Sequence, residues 1–150
     1  PAHRHINPDG TIGGWVAQTA KVEPTCYIGP DAVVFENAAI FENAVVKDRA
    51  KIFGNATVCG NVKIFGNAQV LDDATVCGNA TICDNAMIGG YAQVYSHACV
   101  CGNAQIYGDA VVRGSCYICD NVKVTDYSFI NKKAILKGNQ IVNGLKVIDE

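Results

Sequence analysis

Stepping through the chain six residues at a time from Val16 meets an aliphatic side chain at every step: Val16, Val22, Ile28, Val34, Ile40, Val46 and onward without a gap to Ile130, Leu136, Val142 and Ile148. All 23 positions are Val, Ile or Leu, out of 35 such residues in the chain. Two thirds of the aliphatics thus share one of six phases, and a period of six is not the 3.6 of a helix. A second column, four residues after the first, is small: Ala20, Cys26, Ala32, Ala38 and onward to Ala134, with Val62, Cys116, Val122 and Ser128 as the other departures from Ala. It fails at Gln140 and Lys146. Between the columns lies a turn pair, most often Gly-Asn, as in Gly54-Asn55, Gly60-Asn61, Gly66-Asn67, Gly78-Asn79, Gly102-Asn103 and Gly138-Asn139.

Each six-residue unit therefore predicts a short strand with a β-branched centre, followed by a bend. Gly and Asn tolerate positive φ, which suits a turn recurring at every unit. The aliphatic centre points inward and its two neighbours outward, because strand side chains alternate. The small residue turns inward beside the corner, where space is tight. One unit cannot bury its own face, so units must stack. Three units close a triangle and give an 18-residue coil. Twenty-three units make between seven and eight coils, a prism roughly 35–40 Å long at about 4.8 Å per stacked strand. The predicted fold class is all-β, a triangular parallel β-solenoid. Residues 1–15, with His3, Ile6, Pro8, Ile12 and Trp15, read as an N-terminal cap, and 16–150 as the solenoid.

The aliphatic-x-Gly-Asn-Ala-x unit, as in Ile64-Phe65-Gly66-Asn67-Ala68-Gln69, resembles the hexapeptide-repeat left-handed parallel β-helix superfamily. That superfamily includes acyltransferases, nucleotidyltransferases and γ-class carbonic anhydrases. The chain is most similar to bacterial and prophage GNA-repeat β-solenoid proteins, in which a segment like Gly13-Gly14-Trp15-Val16 opens the solenoid. The resemblance spans roughly residues 10–148. It implies a left-handed winding, an exception to the usual crossover rule. It also implies a phage or mobile-element factor that blocks a host nucleic-acid-handling defence complex.

Outward positions stack every 18 residues, so each wall can be read. One displays Phe35, Phe53, Leu71, Gly89 and Tyr107; a second Phe41, Cys59, Cys77, Tyr95 and Arg113; a third Phe65, Cys83, Cys101 and Cys119, flanked by Lys63, Thr81, Cys99 and Tyr117. A continuous apolar stripe marks an interface. The expected interaction face is Phe35, Phe53, Leu71 and Tyr107, with Phe41 and Tyr95 from the neighbouring wall. Its occupant is expected to be a protein partner or a second copy, in a homodimer or homotrimer. The plainer alternative is an aromatic ladder that covers backbone. One corner collects Glu36, Asp72, Asp73, Asp109 and Asp126, and another Asp48, Asp84 and Asp120. These read as solvated corners that discourage stacking, or alternatively as an acidic ridge imitating a phosphate backbone. The file Asn67, Asn85, Asn103, Asn121, Asn139 reads as a stacked amide ladder.

Twelve Lys and Arg against 14 Asp and Glu give a net charge of −2, so no direct nucleic-acid binding is expected. The apolar runs are too short for a membrane-spanning helix. Eight cysteines read as free thiols in a reducing cytoplasm. Stacked parallel side chains disfavour disulfides, and a flat file of Cys83, Cys101 and Cys119 beside Cys99 does not surround an ion, so no metal is expected. His97, at a turn beside Ser96, is the single candidate base for an acyltransferase-like enzyme with its site at a subunit interface. The three ligands of a γ-class carbonic anhydrase site do not converge here, since His3 and His5 lie in the cap, far from His97. No cofactor motif is present, and an uninterrupted solenoid is expected to carry no concave pocket. The function read from the sequence is a non-enzymatic, self-associating protein-interaction surface, with the acyltransferase and the acidic mimic as alternatives.

Overall fold

The computed structural model describes residues 1–149 and is all-β. Strand β1 (Ala2–Ile6) pairs antiparallel with β2 (Ile12–Ala17), and each of the 23 aliphatic positions then sits in its own strand, from Val16 in β2 to Ile148 in the last. Most of these strands are two residues long, such as Lys63–Ile64 and Thr81–Ile82. They form three parallel sheets of nine, eight and seven strands, counting β1 in the first. Pairing runs at a fixed offset of 18, as Ile64 to Ile82 and Ile82 to Val100, so about eight coils stack in register.

The core is the two columns. Every interior aliphatic from Ile28 to Ile130 is fully buried, as is every Ala of the small column from Ala32 to Ala110. Successive coils are joined by backbone bonds, for example Lys51 N–H to Ala68 O at 3.0 Å and Phe53 N–H to Val70 O at 3.0 Å. Most corners are four-residue turns closed from the small residue's amide, as in Ala86 N–H to Cys83 O at 3.2 Å.

The turn pair divides its labour. Positive φ falls on its first residue: Gly54, Gly66 and Gly102 lie near +60 to +70°, while Asn55, Asn67 and Asn103 do not have positive φ. The second residue contributes its side chain instead. Asn67 Nδ2 donates to Asn85 Oδ1 at 3.3 Å, Asn103 to Asn121 at 3.3 Å and Asn121 to Asn139 at 3.0 Å.

Nine residues other than glycine also occupy the left-handed position: Glu36, Glu42, Asp48, Asp72, Asp84, Ser96, Asp120, Asp126 and Lys132. No two of them are 18 apart. Among the described residues, a side chain at this position is always followed one coil on by glycine. Six of the nine are carboxylates that bond this glycine. Glu36 accepts from the Gly54 N–H at 2.7 Å, Asp48 from Gly66 at 2.9 Å, Asp72 from Gly90 at 2.9 Å, Asp84 from Gly102 at 2.9 Å, Asp120 from Gly138 at 2.8 Å and Asp126 from Gly144 at 2.7 Å. The side chain rises along the prism axis and staples the next turn, whose amide no strand partner takes up.

The first coil would leave an unpaired lower edge, a liability for any sheet. The β1–β2 hairpin covers it. His5 Nε2 donates to Cys26 O at 2.8 Å, and Asn7 Oδ1 accepts from the Ile28 N–H at 2.8 Å, so two buried side chains stand in for a missing strand. At the other end, Ile135, Ile141, Leu145 and Val147 are exposed.

Candidate functional site

The outward file of the first wall is built by the fixed 18-residue offset. Phe35 and Phe53 stack with ring centroids 4.8 Å apart and planes within 4° of parallel. Leu71 continues the file, half-buried. At Gly89 the file lacks a side chain, and Tyr107 resumes it one coil later, 38% exposed. A hollow of about 330 Å³ opens at the missing side chain, lined by Leu71, Asp72, Met87, Gly89, Gln105 and Tyr107 among others. This corrects the expectation of a wall without concavity. The winding has no insertion, yet one glycine in a file of large residues is enough to make a depression. A Cβ at Gly89 would lie 3.1 Å from Asp72 Oδ2 and 3.4 Å from Leu71 Cγ, both side-chain atoms, so the backbone there does not itself demand glycine.

The remaining expected interface residues separate. Phe41 and Tyr95 lie on the second wall, around a corner from Phe35 and Phe53 and three coils apart from each other. Both are half-buried. Trp15 sits at the N-terminal end of the first wall with the Arg4 guanidinium 5.2 Å above its ring. The acidic residues split by role. Glu36, Asp72 and Asp126 hold glycine amides as described, Asp73 Oδ1 accepts from Asn55 Nδ2 at 3.2 Å, and Asp109 occupies the same file of second turn residues. Sequence reading placed these residues on one corner but missed the amides they bind. The signal was available: at each stapled turn the residue 18 positions after the carboxylate is glycine.

His97 stands in the file of Asn61 and Asn79, exposed, with its Nε2 3.5 Å from Asn79 Nδ2. It extends an amide ladder, and no carboxylate orients its ring. The described cysteines are all unpaired. On the second wall, burial and the neighbouring Cys77 push the Cys59 thiol up to about 11. On the third wall, burial, reinforced by Asp84, Cys101 and Cys99, pushes the Cys83 thiol up to about 12, and burial with Cys101 takes Cys99 to about 11. Thiols this reluctant to ionise make poor nucleophiles at neutral pH.

No curated protein matches the chain. A family model described as YdcK Beta solenoid repeat matches residues 104–117, which run through the strands Gln105–Ile106 and Val111–Val112 and two turns to the start of Tyr117–Ile118. Over that stretch the chain is similar to a β-solenoid repeat, in keeping with the parallel solenoid that the whole chain forms.

Proposed function

We propose that the protein is a non-enzymatic binding scaffold, a stiff rod whose first wall is its contact surface and pairs with a second copy. The observation that carries this reading is the apolar file Phe35, Phe53, Leu71 and Tyr107 interrupted by the hollow at Gly89. Knob and depression sit one coil apart on one wall, which suits an isologous contact. A two-fold axis across the wall, midway between the levels of Leu71 and Gly89, sets Leu71 against the hollow of the other copy. The same operation sets Phe53 against Tyr107 and Phe35 against Thr125. Seven coils of one wall offer roughly 30 Å by 16 Å, or on the order of 1,000 Å² buried in total, the lower end of specific interfaces. The contact is therefore reversible, and a further protein partner would compete for the same surface. A host nucleic-acid-handling defence complex, blocked by this protein as the resemblance implies, would be such a partner.

The test is molar mass by light scattering across a concentration series. The wild type is expected to pass from monomer to dimer, and Phe53→Glu or Gly89→Leu to stay monomeric with an unchanged β-type circular-dichroism spectrum. A wild type that stays monomeric at the highest concentration, or a Phe53→Glu variant that dimerises equally, refutes the reading.

A further inference from the structure

The third wall carries a different kind of chemistry. Cys83 Sγ, Cys101 Sγ and a carboxylate oxygen of Asp84 all lie within 4.8 Å of one another. Cys83 and Asp84 are adjacent in sequence, and Cys101 is one coil above Cys83 through the 18-residue offset. The carboxylate is what a flat thiol file lacks. Asp84 leaves the wall at the corner with φ 57° and rises toward the next coil, where its Oδ2 accepts from the Gly102 N–H at 2.9 Å. One oxygen of the carboxylate is thereby fixed, and the group stands beside both thiols. Cys101 is 7% exposed, and its Sγ donates to Tyr117 Oη at 3.3 Å, so the phenol roofs the centre of the cluster. Cys99 flanks Cys101 across the inward Val100, and Cys119 continues the file, its thiol 3.8 Å from Leu136 O.

We propose that Cys83, Cys101 and Asp84 form a binding site for a thiophilic d10 cation, Zn²⁺ being the natural occupant by its mixed preference for thiolate and carboxylate. In a tetrahedral site with Zn–S near 2.3 Å and Zn–O near 2.0–2.2 Å, ligand atoms stand about 3.5–3.8 Å apart. The three atoms lie within 4.8 Å of one another, so they reach that spacing by closing at most about an ångström, within the reach of side-chain rotation on a fixed backbone. Two thiolates exclude Ca²⁺ and Mg²⁺, which take oxygen ligands. The fourth position falls to Cys99 or to water. Binding releases the two thiol protons, and the cation then neutralises the negative charge that the cluster gathers on ionising. A metal here would clamp two coils together and connect a corner to a wall.

The experiment titrates the reduced full chain with Co²⁺, read by thiolate-to-metal charge-transfer absorption, followed by displacement with Zn²⁺. Saturation at one equivalent is expected, with the band lost on adding Zn²⁺. Cys83→Ser and Cys101→Ser are each expected to weaken binding by roughly tenfold or more, on the scale that even the groups supporting a metal ligand command. Asp84→Asn keeps an oxygen for the Gly102 amide, so it folds, and it is expected to weaken binding similarly. Cys59→Ser, on another wall, binds as the wild type does. The site is overturned by absence of the band, by a band unaltered in the Cys83→Ser/Cys101→Ser double variant, by equal loss in Cys59→Ser, or by Asp84→Asn binding undiminished. Oxidation of Cys83 and Cys101 to a disulfide in a chain that takes up no metal, detected as a loss of two mass units, overturns it as well.

Discussion

Asp48 isolates the corner staple in a single residue. Its backbone has φ 56° and its Oδ2 accepts from the Gly66 N–H at 2.9 Å, on the corner of Asp84 but two coils below it. Two energies act there with opposite sign. The left-handed conformation costs a residue with a Cβ about 1–2 kcal/mol, less for Asp and Asn, and nothing for glycine. The hydrogen bond, exposed but accepted by a charge, returns about 1 kcal/mol. Asp48→Ala keeps the Cβ and loses the bond, so it is expected to destabilise by about 2 kcal/mol. Asp48→Gly loses the bond and the torsional cost together, which leaves a change of about 0.5 kcal/mol once the greater freedom of the unfolded glycine is included. Asp48→Asn keeps a neutral acceptor in a tolerated conformation and is expected to lose about 0.5 kcal/mol.

Urea unfolding followed by circular dichroism ranks the three variants. Hydrogen exchange at the Gly66 amide separates the two energies: protection falls in both Asp48→Ala and Asp48→Gly, whatever the global stability does. The reasoning is refuted if Asp48→Gly proves no more stable than Asp48→Ala, or if the Gly66 amide remains as protected without the carboxylate as with it.

Two further substitutions probe the same packing. A Cβ at Gly66 would meet Asp84 N at 2.9 Å with φ +68°, whereas one at Gly138, φ +73°, meets nothing within 4 Å. Gly66→Ala is therefore expected to cost about 2–3 kcal/mol and Gly138→Ala about 1 kcal/mol, each read by hydrogen exchange within its own coil because neighbouring coils stabilise one another in series. Equal costs would show that torsion alone sets the glycine preference. Ser128 is the one member of the buried small column whose hydroxyl has no hydrogen-bond partner among the described residues. Ser128→Ala is expected to stabilise by about 1 kcal/mol, since it removes an unsatisfied buried oxygen and restores the residue used elsewhere in the column. An unchanged or lowered melting temperature would count against that account.

The period of six was legible because burial enforces it at every step: a polar residue in place of Ile64 or Val76 would lie in a fully buried column, so the sequence repeats its aliphatic phase 23 times. The vertical files were legible for the same reason, and they placed Phe53 over Phe35 and Cys101 over Cys83. What stayed hidden depends on the direction of a side chain at a corner. Alternation along a strand says that Phe65 points outward, but it says nothing of Asp84, whose left-handed backbone turns its carboxylate along the axis toward Gly102. The acids therefore looked like solvent decoration, and a flat file of thiols looked unable to surround an ion. The reading of the acids misses that vector. Once a corner carboxylate is known to climb by one coil, its partner is the residue 18 positions on, whose amide no strand takes up. That residue is glycine after Glu36, Asp48, Asp72, Asp84, Asp120 and Asp126 alike. The climb also holds the Asp84 carboxylate within 4.8 Å of the Cys83 and Cys101 thiols, so a bond that serves the corner supplies the oxygen on which the proposed metal site draws.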